Sequence, residues 1–145
     1  MGEFNTIGLE EVAERFGRME AAADRAVPAM LQAGAEVIVK AQQQEAESMG
    51  IKGEDGGFIQ SIKATQVKGA AGGKYVEVYP QGRAKHGNDR KGDKSRVRYA
   101  TIGFVNQYGT SKTSARPYMT AANEKAHDEV TEAMYNVWQG EQQNG

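Results

Sequence analysis

From Leu9 onward the apolar residues Leu9, Val12, Phe16, Met19, Ala23, Ala26, Met30, Ala33 and Val37 alternate spacings of three and four. That is the stripe of an amphipathic helix, close to a heptad seam. The periodic segment spans residues 8 to 48, and Glu10, Glu14, Arg15, Arg18, Glu20, Asp24 and Lys40 occupy its other faces. Pro28 interrupts it, removing a backbone donor and disfavouring helical geometry at Val27. The spacing therefore predicts either a kink or two helices, the second beginning at Pro28. Such a segment runs roughly 60 Å at the helical rise. A compact chain of 145 residues is only about 30 Å across. The helix must fold back as an ordinary kinked core helix, or project into neighbouring chains.

Residues 49 to 57 break the pattern with Gly50, Gly53, Gly56 and Gly57. Phe58 to Lys68 then shows an imperfect alternation, and Lys74 to Tyr79 (KYVEVY) is β-branched and aromatic. With the glycine-rich GAAGG between them, these two runs predict an antiparallel hairpin. A hairpin is marginal alone, so it needs the long helix or another chain to pack against.

Tyr99, Ile102, Val105 and Tyr108 recur at helix spacing, with Ala100 and Phe104 beside them, and predict a short helix that stops at Gly109. Thr110 to Ser114 reads as a loop, and Pro117 suits the first position of a helix. Met119, Ala122, Ala126, Val130, Met134 and Val137 carry that last helix to about Gln139, with Trp138 closing its apolar face and Gly140 as the stop. Ala121, Ala122 and Ala126 permit close approach to another helix, either the long first helix or a neighbouring subunit.

The length suits one domain with a real core. A hydrophobic content of 39% and a mean hydropathy of −0.67 are low for a compact globule, so some segments are expected to be exposed or covered by partner chains. The net charge of −1 gives no bulk attraction for polyanions. The charge is local: Arg83, Lys85, Arg90, Lys91, Lys94, Arg96 and Arg98 face only Asp89 and Asp93. The tract from about 81 to 98 reads as a long mobile loop that is either simply solvated or turned toward DNA phosphates or an acidic partner. No aromatic residue interleaves it, which argues against base stacking.

The absence of cysteine excludes disulfides, thiol catalysis and cysteine metal sites. The first residues lack an apolar core of signal-peptide type, and no run approaches a membrane span. His86 and His127 sit at no metal-ligand spacing, and His127 is expected on a different helix face from Asp128. GTSK has a superficial likeness to a phosphate loop, but its lysine follows the hydroxyls. Ser61, Ser111 and Ser114 have no nucleophile elbow. The expectation is a non-enzyme with no cofactor and no catalytic or metal site.

Tyr108, Gly109, Thr110, Ser111, Lys112, Ala115, Arg116, Pro117 and Tyr118 form wording that resembles a siphophage family of small tail-completion or head–tail neck proteins, often called tail components. That family carries an aromatic residue, Gly-Thr-Ser-Lys, a short spacer, then Ala-Arg-Pro and another aromatic. Its Thr-Gly-x-Leu-x-x-Ser-Ile run is similar to Asp55–Ile62, where Gly56, Ser61 and Ile62 match, Phe58 replaces leucine and Asp55 departs from threonine. Gln107 stands where the family has glutamate, which removes a charge partner for Arg116 or Lys112. The resemblance covers about residues 7 to 138. It implies a structural phage or prophage protein of the head–tail junction or tail completion, made in the bacterial host cytoplasm and located in the virion. Its partners would be itself, as a ring-forming homo-oligomer, and neighbouring connector and tail proteins, with the basic tract facing DNA in the channel and no membrane involved. The nine-residue motif would serve assembly, Lys112 and Arg116 either solvated or projecting toward a neighbour.

The fold expected is α+β in one domain over 1–145: a long kinked N-terminal helix, an antiparallel hairpin or small sheet, a short helix, a C-terminal helix, and a short polar tail at 140–145. The functional alternative is a small DNA-binding or DNA-packaging accessory protein using Arg83 to Arg98 as a phosphate-contacting arm.

Overall fold

The computed structural model describes residues 2–53, 56–70, 73–84 and 97–144, without the side chains of 2–10, 16, 70, 143 and 144. It is α+β, as the periodicities predict. The long stripe forms a single helix, α1, Gly2–Ser48, with Pro28 inside it. At 1.5 Å per residue, α1 is roughly 70 Å long. Helix α4, Tyr118–Asn144, lies antiparallel along its C-terminal part. Gln42 Nε2 donates to Asn123 Oδ1 at 3.4 Å, Gly34 faces Val130 and Met134, and Arg25 pairs with Glu141 at 3.7 Å. The seam is built of small residues: Ala22, Ala26, Ala35 and Ala46 on α1, Ala122 and Ala126 on α4, all buried. A methyl on Gly34 would come within 3.1 Å of Met134, so glycine here sets how closely the helices approach.

This packing bears on two of the sequence expectations. Of the two outcomes expected at Pro28, a kink or a second helix, the restart does not occur: α1 runs through the proline, and α4 covers it on both sides. Nor does Gly140 end α4: the helix runs on to Asn144, with Glu141 drawn to Arg25, so 140–144 is helix rather than tail.

The C-terminus of α1 is closed by a Schellman motif. Ile51 N–H donates to Ala46 O at 2.9 Å, Gly50 N–H donates to Glu47 O at 3.0 Å, and Gly50 has φ 75°. Ala46 and Ile51 meet in the apolar contact that accompanies such caps. They open the main core cluster, which continues through Phe58, Ile62, Ala84, Tyr99 and Tyr118. The core therefore sits at one end of the molecule, with the α1/α4 pair leading away from it.

Phe58 does not begin a strand. Phe58–Ser61 is one helical turn, α2, and the reason is in the spacing: Phe58 and Ile62 are four apart and both fully buried. Ser61 N–H donates to Gly57 O and the Ser61 hydroxyl to Phe58 O. The hairpin that follows is split into β1 Ile62–Ala64, β2 Lys68–Ala70, β3 Gly73–Tyr75 and β4 Val78–Pro80. Antiparallel pairing sets Ile62 opposite Pro80 and Ala64 opposite Val78, but Lys68 opposite Tyr75. Thr65 N–H still donates to Glu77 O, so Gln66 and Val67 together stand opposite Val76. That is a β-bulge, and it divides the hairpin into two ladders.

Candidate functional site

Helix α3, Tyr99–Tyr108, carries the sequence motif on its C-terminal end. Its buried positions are Tyr99, Gly103 and Gln107, a row at i, i+4 and i+8. The apolar row chosen from spacing is rotated from this: Ile102 and Val105 are half-buried and Tyr108 is 69% exposed. Gly103 explains the rotation. A methyl there would lie 2.7 Å from the Tyr118 hydroxyl and 2.9 Å from Pro80 Cγ, so the bare backbone is what packs on the core.

The connection from α3 to α4 closes on itself. Gly109 has φ 76° and ψ 178°, and a Cβ on it would meet Thr113 O and Ala115 N at 2.8 Å each. Only glycine fits both demands. Thr110 N–H donates to Thr113 O at 2.8 Å, while Thr110 Oγ1 accepts from Lys112 N at 3.2 Å and Thr113 N at 3.0 Å. Arg116 N–H returns to α3, donating to Asn106 O at 2.6 Å. Pro117 O accepts the first helical bond of α4, from Ala121 N–H at 3.1 Å, so the proline stands just outside the helix.

Gln107 spans the same junction. Its Oε1 accepts from Met119 N–H at 2.9 Å and its Nε2 donates to Thr120 Oγ1 at 2.7 Å. A side chain from α3 thus satisfies a free donor in the first turn of α4, the task usually done by a local cap. This is what occupies position 107, rather than a charge pairing with Arg116 or Lys112. Sequence reasoning missed it because the partners lie on the next helix.

Arg116 is exposed, yet its Nη1 donates to Met49 O at 3.1 Å, the carbonyl at the end of α1. A cation at a helix C-terminus meets the negative end of the dipole. Arg116 therefore has a partner within the chain rather than being simply solvated. Tyr118 is fully buried, edge-on to Phe58 with ring centroids 5.8 Å apart. Its hydroxyl is buried with no hydrogen-bond partner among the described residues, and burial pushes its pKa well above the ordinary tyrosine value.

What faces outward is a smaller set. Ser111 and Lys112 form the loop tip, and among the described residues no ion pair engages Lys112. Tyr108 stacks obliquely on Phe104, centroids 4.9 Å apart, with Phe104 63% exposed. Phe104 is among the apolar residues of this helix, and its exposure depends on what packs against α3 rather than on spacing.

The basic tract is described only at its ends. Arg83 and Arg98 form an antiparallel bridge, Ala84 N–H donates to Val97 O at 2.9 Å, and Tyr99 N–H donates to Gly82 O at 3.0 Å. The segment between is thereby closed at its base. Lys85, Arg90, Lys91, Lys94 and Arg96, with His86, lie outside the described residues.

His127 Nδ1 does lie 3.3 Å from Asp128 Oδ1, contrary to the expectation from adjacent helix positions; both are on the outer surface and free to lean together. Among the described residues no group of three or more His, Asp or Glu could hold a metal ion, and no helix is long and apolar enough to cross a membrane. No protein-family model, curated protein or solved structure matches the chain.

Proposed function

We propose that this chain is a structural phage or prophage protein of the head–tail junction or tail completion, a non-enzyme that acts in the virion by self-association and by docking to connector and tail proteins. The observation that carries the docking half is the exposed Phe104–Tyr108 pair beside a loop whose conformation is fixed from several sides. Aromatic side chains with few rotamers lose little entropy on binding and are favoured anchors at interfaces. A preformed loop avoids the further cost of ordering. Lys112 at the tip supplies a charge for an acidic partner surface. The motif's resemblance to phage tail components gives that docking its setting.

The test is genetic. Deleting the gene from the genome that encodes the chain should leave heads and tails that do not join into infectious particles. Wild-type protein supplied in trans should restore them, and the Phe104→Ala/Tyr108→Ala variant should not, while folding normally. Infectious particles formed without the protein would refute the reading. Salt-sensitive DNA binding by the purified chain, with particle assembly unaffected, would favour the accessory DNA-binding alternative instead.

A further inference from the structure

The pairing of α1 with α4 is unequal in length. The contacts Gln42–Asn123, Gly34–Val130 and Arg25–Glu141 place the described end of α4 about level with Ala22. The part of α1 before Ala22 therefore extends past it, by roughly 30 Å at the helical rise. The face that α4 buries at Ala26 and Ala22 carries on beyond it with Arg15 set among its apolar residues. It continues through Met19 to Val12, which are 46% and 47% exposed. Where α4 leaves off, a cleft of about 570 Å³ opens, lined by Arg15, Arg18, Met19, Ala22, Arg25 and Trp138.

The charge of this cleft narrows its occupant. Arg25 is engaged by Glu141, but among the described residues no ion pair engages Arg15 or Arg18. Glu11 and Glu14 share an adjoining recess with the two arginines, so the helix carries no continuous positive field for a polyanion. What fits is a surface with discrete carboxylates and an apolar anchor at helical spacing. The outer face of α4 is such a surface: Glu124, Asp128, Glu129 and Glu132 are exposed along it, with Tyr135 56% exposed. Lys125, the cation among them, is held by Glu45 of α1. No ion pair within the described residues engages Glu124, Glu129 or Glu132.

We infer that the overhanging face of α1, at Val12, Arg15, Arg18 and Met19, binds the outer face of α4, at Asp128, Glu132 and Tyr135, of a second copy of this chain. The second copy's helix continues along α1 the packing that the chain's own α4 begins. Arg15 and Arg18 meet the acidic row while Met19 meets the Tyr135 ring, a sulfur–aromatic contact. The two surfaces differ, so two copies can engage reciprocally, each overhang on the other's α4, or the contact can repeat head to tail from copy to copy. This names the self-association surface of the function proposed above and rests on that reading.

A charge-swap experiment tests it. Light scattering after size exclusion should show the wild-type chain self-associating. Arg15→Glu/Arg18→Glu alone and Asp128→Lys/Glu132→Lys alone should each weaken association by about tenfold or more, since like charges are then juxtaposed. Mixed one to one, the two variants should associate again, because each reversed face then finds a complementary partner. That rescue cannot come from a variant that merely fails to fold, and circular dichroism of each provides a second check. A monomeric wild type, variants that associate as the wild type does, or a mixture that stays monomeric would each overturn the inference. So would duplex DNA binding lost in Arg15→Glu/Arg18→Glu with no self-association. Failure here leaves Phe104–Tyr108 docking standing, whereas particles that assemble without the protein overturn the virion role and leave this contact intact.

Discussion

Tyr118→Phe removes one oxygen and tests how the core is closed. The hydroxyl is buried, has no hydrogen-bond partner among the described residues, and sits over the bare backbone of Gly103. A buried polar group without a partner costs about 1–3 kcal/mol relative to its solvated state. Against this, the variant loses the dispersion contacts of one atom, a few tenths of a kcal/mol. The Tyr118→Phe protein should therefore be at least as stable as the wild type at pH 7, by about 0–2 kcal/mol. The alkaline limb adds a second signature. Burial raises the folded pKa of Tyr118 well above the ordinary tyrosine value of about 10, so the folded state holds the proton more tightly than the unfolded state. That contribution is fully present below pH 10 and is lost as the pH rises, at up to about 1.4 kcal/mol per pH unit. The variant lacks it, so its stability should fall less steeply above pH 10. Urea unfolding followed by circular dichroism between pH 7 and 11 measures both effects. A variant more than about 1 kcal/mol less stable at pH 7 would mean that the hydroxyl has a partner it needs. Parallel pH profiles would mean that Tyr118 ionises as an exposed tyrosine does.

Two further substitutions address the loop. Gly109→Ala places a side chain at φ 76° and within 2.8 Å of two backbone atoms, and should cost about 1–3 kcal/mol or disrupt the connection; chemical denaturation reads the loss, and a change below about 0.5 kcal/mol would refute the geometry. Gln107→Ala should cost about 1 kcal/mol by freeing Met119 N–H at the start of α4, whereas Gln107→Glu keeps an acceptor there and should cost less. Amide exchange at Met119 separates the two, being accelerated in the alanine variant and protected in the glutamate variant.

The chain's local patterns announce its helices well, because the spacing of three and four is a property of a few consecutive residues. They do not say what covers each face. Val12 and Met19 belong to the same row as Ala26, and only the length of α4 decides that one is buried and the others open. Gly140 looks like a stop until Glu141 finds Arg25, and Pro28 looks like a break until α4 lies across it. Phe58 to Ile62 is a different kind of error. The i, i+4 spacing of the two large apolar residues was legible, but the alternation further along the run drew the reading toward a strand. Gln107, Asn106 and Met49 carry no signal at all in the sequence, since each acts through a partner on another element. The motif Tyr108–Tyr118 was legible as a constrained loop from its glycine, hydroxyls and proline, and the structure supplies what those residues hold.

That motif divides by depth. Tyr118 is core, Gly109 and Thr110 shape the turn, Arg116 closes the end of α1, and Gln107, just ahead of the motif, caps α4. Each restrains the angle between two helices, so each should reveal itself through stability before it reveals itself through function. Ser111, Lys112, Tyr108 and Phe104 restrain nothing comparable and lie at the surface. A recognisable motif therefore need not be the surface that a partner touches. Here most of its wording is used to hold α1, α3 and α4 in one arrangement, and Phe104, which lies before the motif begins, contributes more to the outward face than the arginine within it.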